Sequence, residues 1–498
     1  MAHHPDHASD NGYFQTMTFV KKAIQADMSP ATAHKSNASK SNAIKSNAMK
    51  SIATKAIKTV TTGLFGTFFA TYCAAAIPIQ HWTQPGGARI YLVESPAIAM
   101  LDVQIDFDAG ARRDPVNKAG LAAGTGALLG SGVAARGGLP ALDENALGEA
   151  WADLGGQFGS SAGADRMSFS LRTLTEPELL AKAVALAARQ IGEPSFPDEI
   201  WQRDRQKIIA NLKESYTRPA SIAGRQFAKA VYGSHPYGSE TTETSLMRIT
   251  TADMQAFYAS GVVACRARIS MVGAVTRAQA DTIAQRLLAR LPQQECASLP
   301  TPPPVAEVAA LAQASQIAVP FDSAQAQVLM GQPGYKRSDP DFFALLVGNY
   351  ILGGGGFVSR LSSEVREKRG LTYSVSSYFS PGLHAGAFTV GLQTRPDQAA
   401  QALGVARQVV TDFVANGPTE PELKAAKDNL IGGFALLIDS NRKLLGNITN
   451  IAWNDLPLDY LDTWTQQLGK VTTADIKAAF ARKLQPDKMV TVILGATP

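Results

Sequence analysis

The chain has 498 residues, 45% of them hydrophobic and 18% charged, which supplies large apolar cores and excludes a disordered tail or a fibrous repeat. Its formal charge of +5 belongs to the start: residues 1–76 hold eight lysines and three acids, leaving 39 basic against 39 acidic residues downstream. That neutral balance gives no bulk attraction to nucleic acid or another polyanion, and the length predicts two or more globular units.

The tract KSNASKSNAIKSNAMK (35–50) repeats a Lys-Ser-Asn-Ala unit without apolar periodicity, so residues 1–58 read as a basic low-complexity extension. From Thr59 the charge stops. The segment TVTTGLFGTFFATYCAAA (59–76) follows a basic flank with a short apolar core and an Ala-x-Ala end, the pattern of a cleaved secretory signal, with Met49 as the more conventional start. Two other readings stay open. The uncharged stretch 59–80 is long enough for an uncleaved membrane anchor, and the Lys/Ser-rich, acid-poor segment before it resembles an organellar presequence. The expected location is therefore periplasmic, with a membrane-anchored or organellar one as the alternative. Downstream, Cys265 and Cys296 can form at most one disulfide; neither sits in a CxxC pair, which excludes a zinc ribbon or thioredoxin-type site. Their simplest reading is two small buried hydrophobes.

The first globular half, 77–296, opens with LDVQIDFD (101–108), whose alternation predicts a half-buried antiparallel strand. Helices are predicted at 118–129, 176–190 and 198–214, with a strand at 167–174. ITTADMQAFYA then reads as a Thr-capped helix, followed by the strand ARISMVGAV. At SLPTPPPV, Pro300, Pro302, Pro303 and Pro304 forbid regular structure and mark a linker, 297–314. The second half, 315–498, repeats the order: a strand near 327–331, a helix at 341–352, a strand at 388–393, helices at 397–414 and 421–438, then VTTADIKAAFA and MVTVILGA.

An offset of 222 residues places Leu246, Thr250, Thr251, Ala252, Asp253 and Ala256 on Leu468, Thr472, Thr473, Ala474, Asp475 and Ala478, and Gly273-Ala274 on Gly495-Ala496. One offset that aligns a helix and the strand after it implies duplication. The expected fold is α+β: two tandem homologous domains, each a mixed or antiparallel sheet covered by helices on one face.

From about Arg89 to Ala496 this pattern resembles the insulinase/pitrilysin-type (mitochondrial-processing-peptidase-like) metallopeptidases, whose H-x-x-E-H motif follows a Gly-Leu-Ala-like lead-in on the first long helix. In that family the two histidines bind zinc and the glutamate activates the metal-bound water. Here the matching segment is KAGLAAGTGALLG: Ala119-Gly120-Leu121-Ala122 is present, but the working positions are Ala123, Gly126 and Ala127, none of which can ligate a metal or move a proton. The third ligand of the family falls near Asn211, with Glu214 one turn away. Downstream of residue 76 the histidines are His81, His235 and His384, without i, i+3 or i, i+4 pairing. No zinc is expected in this chain. His235, in YGSHPYGSE, resembles the family's His-Pro-Tyr-Gly loop and is expected to bond backbone.

The segment LGGGGFVSRLSSEVREKRGLTYSVSS (352–377) resembles the family's glycine-rich turn followed by an Arg and a Tyr seven positions apart, here Arg366 and Tyr373 with Gly370 and Leu371 between them. The resemblance implies that this pair binds a substrate backbone and steadies the oxyanion, facing the zinc across an enclosed chamber, and that Gly353, Gly354, Gly355 and Gly356 engage substrate. A guanidinium and a phenol are both donors suited to a carbonyl oxygen. There is no Gly-Lys-Ser/Thr end, so the glycines are not a phosphate loop; they predict a mobile or tightly turned backbone.

In bacterial two-chain members of the family one subunit carries H-x-x-E-H while the other lacks it and supplies the Arg/Tyr pair. The resemblance thus implies a non-catalytic, substrate-binding subunit of an exported heteromeric zinc endopeptidase, inactive alone, with zinc held by a homologous partner chain and peptides as substrates. The alternative is a catalytically silent peptide-binding or scaffold protein of the same fold.

Overall fold

A computed structural model of the chain describes residues 77–496 apart from Gln294; the basic extension and the signal-like segment lie outside the described residues. The first half builds a six-stranded sheet from β1 (Gln80–Thr83), β2 (Arg89–Glu94), β3 (Met100–Phe107), β6 (Gln157–Ala162), β7 (Met167–Leu174) and β8 (Arg268–Gly273), while β4 (Gly132–Val133) and β5 (Leu142–Asp143) make a small separate ladder. The second half builds a five-stranded sheet from β9 (Ser315–Val319), β10 (Ala326–Pro333), β11 (Ser374–Phe379), β12 (Ala387–Thr394) and β13 (Val490–Leu494).

The strand orders are β6-β7-β3-β8-β2-β1 and β11-β12-β10-β13-β9. They are the same order with one strand added, and in each sheet the parallel pair is the equivalent one, β2 with β8 and β9 with β13. The 222-residue offset reaches further than the sequence motifs: helices Pro177–Gly192, Asp198–Ser215 and Pro219–Tyr232 start 222 residues before Ala399–Asn416, Glu420–Gly432 and Asn441–Trp453. The Thr-capped helices are Thr251–Gly261 and Thr473–Lys483. Each closes a capping box, Thr250 with Asp253 and Thr472 with Asp475, so two otherwise orphaned N–H groups are paired at each end.

Helices of each half cover one face of its own sheet, as expected, but the other face is not solvated. Ile90 and Leu92 of β2 point into the first half's core, whereas Tyr91 and Val93 pack with Val272 against Leu445, Ile448 and Ile451 of helix Asn441–Trp453 from the second half. The exchange is reciprocal: Ala223, Phe227 and Val231 of helix Pro219–Tyr232, from the first half, pack on Val490, Val492 and Leu494 of β13. This corrects the half-buried reading of 101–108. β3 lies between β7 and β8 with a covered face on each side, and its Asp102 and Asp106 are buried in ion pairs with Arg172 (2.8 Å) and Arg166 (3.0 Å).

Other boundaries shift for local reasons. The helix expected at 118–129 is Leu121–Leu128, because Gly120 takes a left-handed φ of 102°. The helix expected at 421–438 ends at Gly432 and continues as a 3-10 turn, Phe434–Leu437. The cysteine reading is also corrected: Cys265, buried just before β8, is disulfide-bonded to Cys296, the last residue before the linker. Beyond it the proline-rich chain is tied to the first half by Arg266, which donates to the Pro300 carbonyl (2.7 Å), and by Arg113, which donates to that of Pro303. No helix among the described residues is long and apolar enough to cross a membrane.

Candidate functional site

Helix Leu121–Leu128 carries the three positions that a zinc site would need. Ala123 and Ala127 lie exposed on one face and Gly126 is buried. A Cβ on Gly126 would stand 3.1 Å from the Ala162 nitrogen and 3.2 Å from the Ser161 carbonyl carbon, so outer strand β6 has closed over the place of the general base. Ser160 fastens that contact by donating to the Gly126 carbonyl at 2.7 Å. Asn211 is exposed, and the carboxylate of Glu214 is spent on Arg218. These residues do not fit zinc, and no group of three or more metal-binding side chains occurs among the described residues.

Asp114 anchors the start of the same helix. Its carboxylate accepts from the Gly120 and Ala122 N–H groups, both at 2.8 Å. Burial pushes its pKa up to about 6, against the pull of those backbone donors. Sequence reasoning passed over it because the capping side chain stands six to eight residues before its donors, outside the usual N-cap spacing.

In the second half the equivalent helix is Phe342–Asn349, and it runs straight into the glycines. A π-turn, Tyr350–Gly354, widens its end, and the chain then reverses at Gly356, whose φ of +66° suits glycine. Gly353 is held so near β11 that a Cβ would lie 2.5 Å from the Ser377 nitrogen. Asn349 completes the junction, donating to the Ser377 carbonyl (3.1 Å) and accepting from its hydroxyl (2.8 Å) while wholly buried. Of the two expected states of this segment, it is the tightly turned one. Asn349 and Ser377 lie 28 residues apart and leave no local sequence signal.

Arg366 lies on the π-helical segment Ser362–Glu367, and Tyr373 just precedes β11. The chain between them turns at Gly370, with φ +61°. Arg366 Nη1 donates to the Tyr373 carbonyl at 2.9 Å, its Nε approaches Glu367 at 3.3 Å, and its guanidinium stacks on Phe357, 4.4 Å from the ring centre. Sequence reasoning did not single out Phe357. Lys368 and Arg369 both pair with Glu364, whose pKa their bonds lower. The structure therefore brings Arg366 and Tyr373 together beside the glycine-rich turn. Tyr373 is 84% exposed, and Phe357 and Val358 share that open surface. Arg366 touches the Tyr373 backbone rather than its phenol, and both side chains stand on an open surface instead of the enclosed chamber expected; a guanidinium and a phenol supply neither nucleophile nor base.

His235 is buried, and its Nδ1 accepts from the Tyr237 N–H at 3.1 Å, capping the turn Pro236–Gly238 as a backbone-bonding loop histidine. Burial and neighbouring His384 lower its pKa. His384 contacts Glu307 of the linker at 3.2 Å. His81 packs on Tyr91 across β1 and β2.

Residues 248–430 match the family model described as the peptidase M16 inactive domain. The crystal structure of a peptidase M16 inactive domain from Pseudomonas fluorescens superposes with a TM-score of 0.78 at 34% identity, covering 84% of this chain and 98% of that one. Among curated relatives, an uncharacterized zinc protease of Mycobacterium leprae is 24% identical over 416 residues, 83% of this chain and 91% of the relative. The non-peptidase homolog YmxG of Helicobacter pylori is 24% identical over 429 residues, 84% and 94% respectively.

Proposed function

Because the chain belongs to the peptidase M16 family, on its 34% identity to the Pseudomonas inactive domain over nearly the whole of that structure, we propose that it is the non-catalytic, substrate-binding subunit of an exported heteromeric zinc endopeptidase. The observation that carries this reading is an asymmetry between the halves. The general-base position Gly126 is closed off by β6, while the glycine-rich turn, Arg366 and Tyr373 are assembled and open to an incoming chain. Zinc and the general base would come from a homologous partner subunit, and Arg366 and Tyr373 would hold the peptide backbone and the oxyanion. Losing one such donor removes about 2.7–4 kcal/mol of transition-state stabilisation. The Cys265–Cys296 disulfide supports export, since such bonds persist in oxidising compartments.

The test is co-expression with a homologue carrying H-x-x-E-H. Peptide hydrolysis should need both chains and fall about 100–1,000-fold with Arg366→Ala or Tyr373→Phe. Full activity of the zinc-bearing chain alone would reject the reading. Peptide binding by the isolated chain with no gain in hydrolysis would favour a silent binding or scaffold protein, the reading to which the Helicobacter relative's name, non-peptidase homolog, lends weight.

A further inference from the structure

A cavity of about 530 Å³ opens where the two halves meet, lined by none of the glycine-rich turn, and arginine dominates its wall. Arg89, Arg112, Arg266 and Arg268 line it against only two lining carboxylates, Asp108 and Asp455. Each carboxylate is already shared. Asp108 bonds Arg112 (2.5 Å) and Arg113 (2.8 Å), while Asp455 bonds Arg89 (2.7 Å) and Arg268 (3.1 Å). Arg266 has a backbone carbonyl as its partner, that of Pro300. Four lining guanidinium groups thus face two lining carboxylates, a surplus of two positive charges that Asp165, beside Arg112, reduces to one.

Unspent donors accompany the unspent charge. The Nε of Arg112, a residue 7% exposed, makes no hydrogen bond: Asp165 Oδ1 stands 3.2 Å away but off the N–H direction. Trp453, also in the wall, stacks against Arg268 at 4.9 Å, and its buried Nε1 lacks a partner among the described residues. Burial first, and then the nearby charge of Arg89, lower the pKa of Arg268. Asp455 reaches its two arginines from a left-handed backbone (φ 50°) with its side chain 58% exposed, so a carboxylate already rests at the cavity mouth and could be displaced to solvent.

We propose that this arginine-lined cavity is a binding site for a small doubly charged oxyanion, a phosphate group or a dicarboxylate, taken up between the two halves. Guanidinium groups recognise both through paired N–H donors, and once Asp455 swings out the four lining guanidinium groups exceed Asp108 and Asp165 by two charges, that of one such ligand. Bound there, the ligand would bridge Arg89, Arg266 and Arg268 of the first half to the Trp453 Nε1 donor of the second, taking the place of the Asp455 carboxylate and stabilising the folded chain by mass action.

Inorganic phosphate and succinate are the probes, titrated by calorimetry and thermal unfolding into the full chain at fixed ionic strength, with chloride as control. A saturable one-to-one isotherm and a matching rise in Tm are expected with at least one probe, and which one works identifies the ligand class. Arg266→Gln should weaken binding at least tenfold, while Asp455→Asn should tighten it severalfold by freeing Arg89 and Arg268. Loss of binding in both variants would signal general damage to the fold and overturn the proposal. So would a non-saturating response equal to that of chloride, or affinities unchanged by either substitution.

Discussion

Asp114 shows how much one partly buried carboxylate can impose on its surroundings. Its folded-state pKa of about 6 lies above the ordinary 3.8, so between those values the folded protein holds a proton that the unfolded chain has released. Stability contributed by this group is therefore fully present below about pH 4 and is lost as pH rises through 6, a change of about 3 kcal/mol in all. Asp114→Asn stays neutral throughout and lacks that slope, while the other titrating groups cancel in the comparison. Urea unfolding at pH 4.5 and pH 7 should show wild type losing ground to the variant by about 2 kcal/mol, two-thirds of the whole change. An identical difference at both pH values would contradict the assignment. The helix that Asp114 anchors carries Ala123, Gly126 and Ala127 at the positions where the family it resembles has its zinc motif, so here the anchor holds a helix without metal-binding side chains.

At the scale of elements, the two exchanged helices carry disproportionate weight. Ile448 is fully buried and Phe227 nearly so, and each packs on a sheet of the other half. Truncation leaves cavities in those shared cores, so Ile448→Ala should cost about 2–5 kcal/mol and Phe227→Ala about 3–5 kcal/mol. In chemical denaturation either variant should lower the midpoint of one common transition; a variant that melts a single half would show that the cores are independent. These helices are also where sequence reading fell short. Thr250 and Thr472 announce their helices through capping boxes within three residues, and β7 alternates visibly, so those elements were legible. Helices Pro219–Tyr232 and Asn441–Trp453 went unassigned, because what stabilises them lies on strands far off in the chain. The 222-residue offset could have located them, since it links Pro219 to Asn441. For the candidate site, Arg366, Tyr373 and the glycines were legible as a spaced motif, whereas Phe357 beneath the guanidinium and the Asn349–Ser377 junction depend on tertiary contacts. The alternation of 101–108 misled for the same reason: Asp102 and Asp106 read as solvent-facing, yet they are buried against arginines from β7 and its preceding turn.

For the whole molecule, reciprocal packing makes the two halves interdependent despite their common plan. Expressed alone, residues 77–296 would bare Tyr91, Val93 and Val272 along with the unpartnered Ala223, Phe227 and Val231 stripe. Residues 315–498 alone would bare Val490, Val492 and Leu494 together with Leu445, Ile448 and Ile451. Contiguous apolar patches of that kind drive association, so each fragment by itself should aggregate or populate a loosely packed state that binds a hydrophobic dye. Co-expressed, the fragments should form a soluble one-to-one complex, because the apolar surfaces each fragment exposes are ones the other covers, and the linker adds only partly buried Leu311 to those shared cores. Size-exclusion chromatography of the fragments, separately and together, decides the matter. Two monodisperse fragments with cooperative melting of their own would mean that each sheet tolerates a solvated face, and that the helix exchange follows from docking instead of being needed for folding.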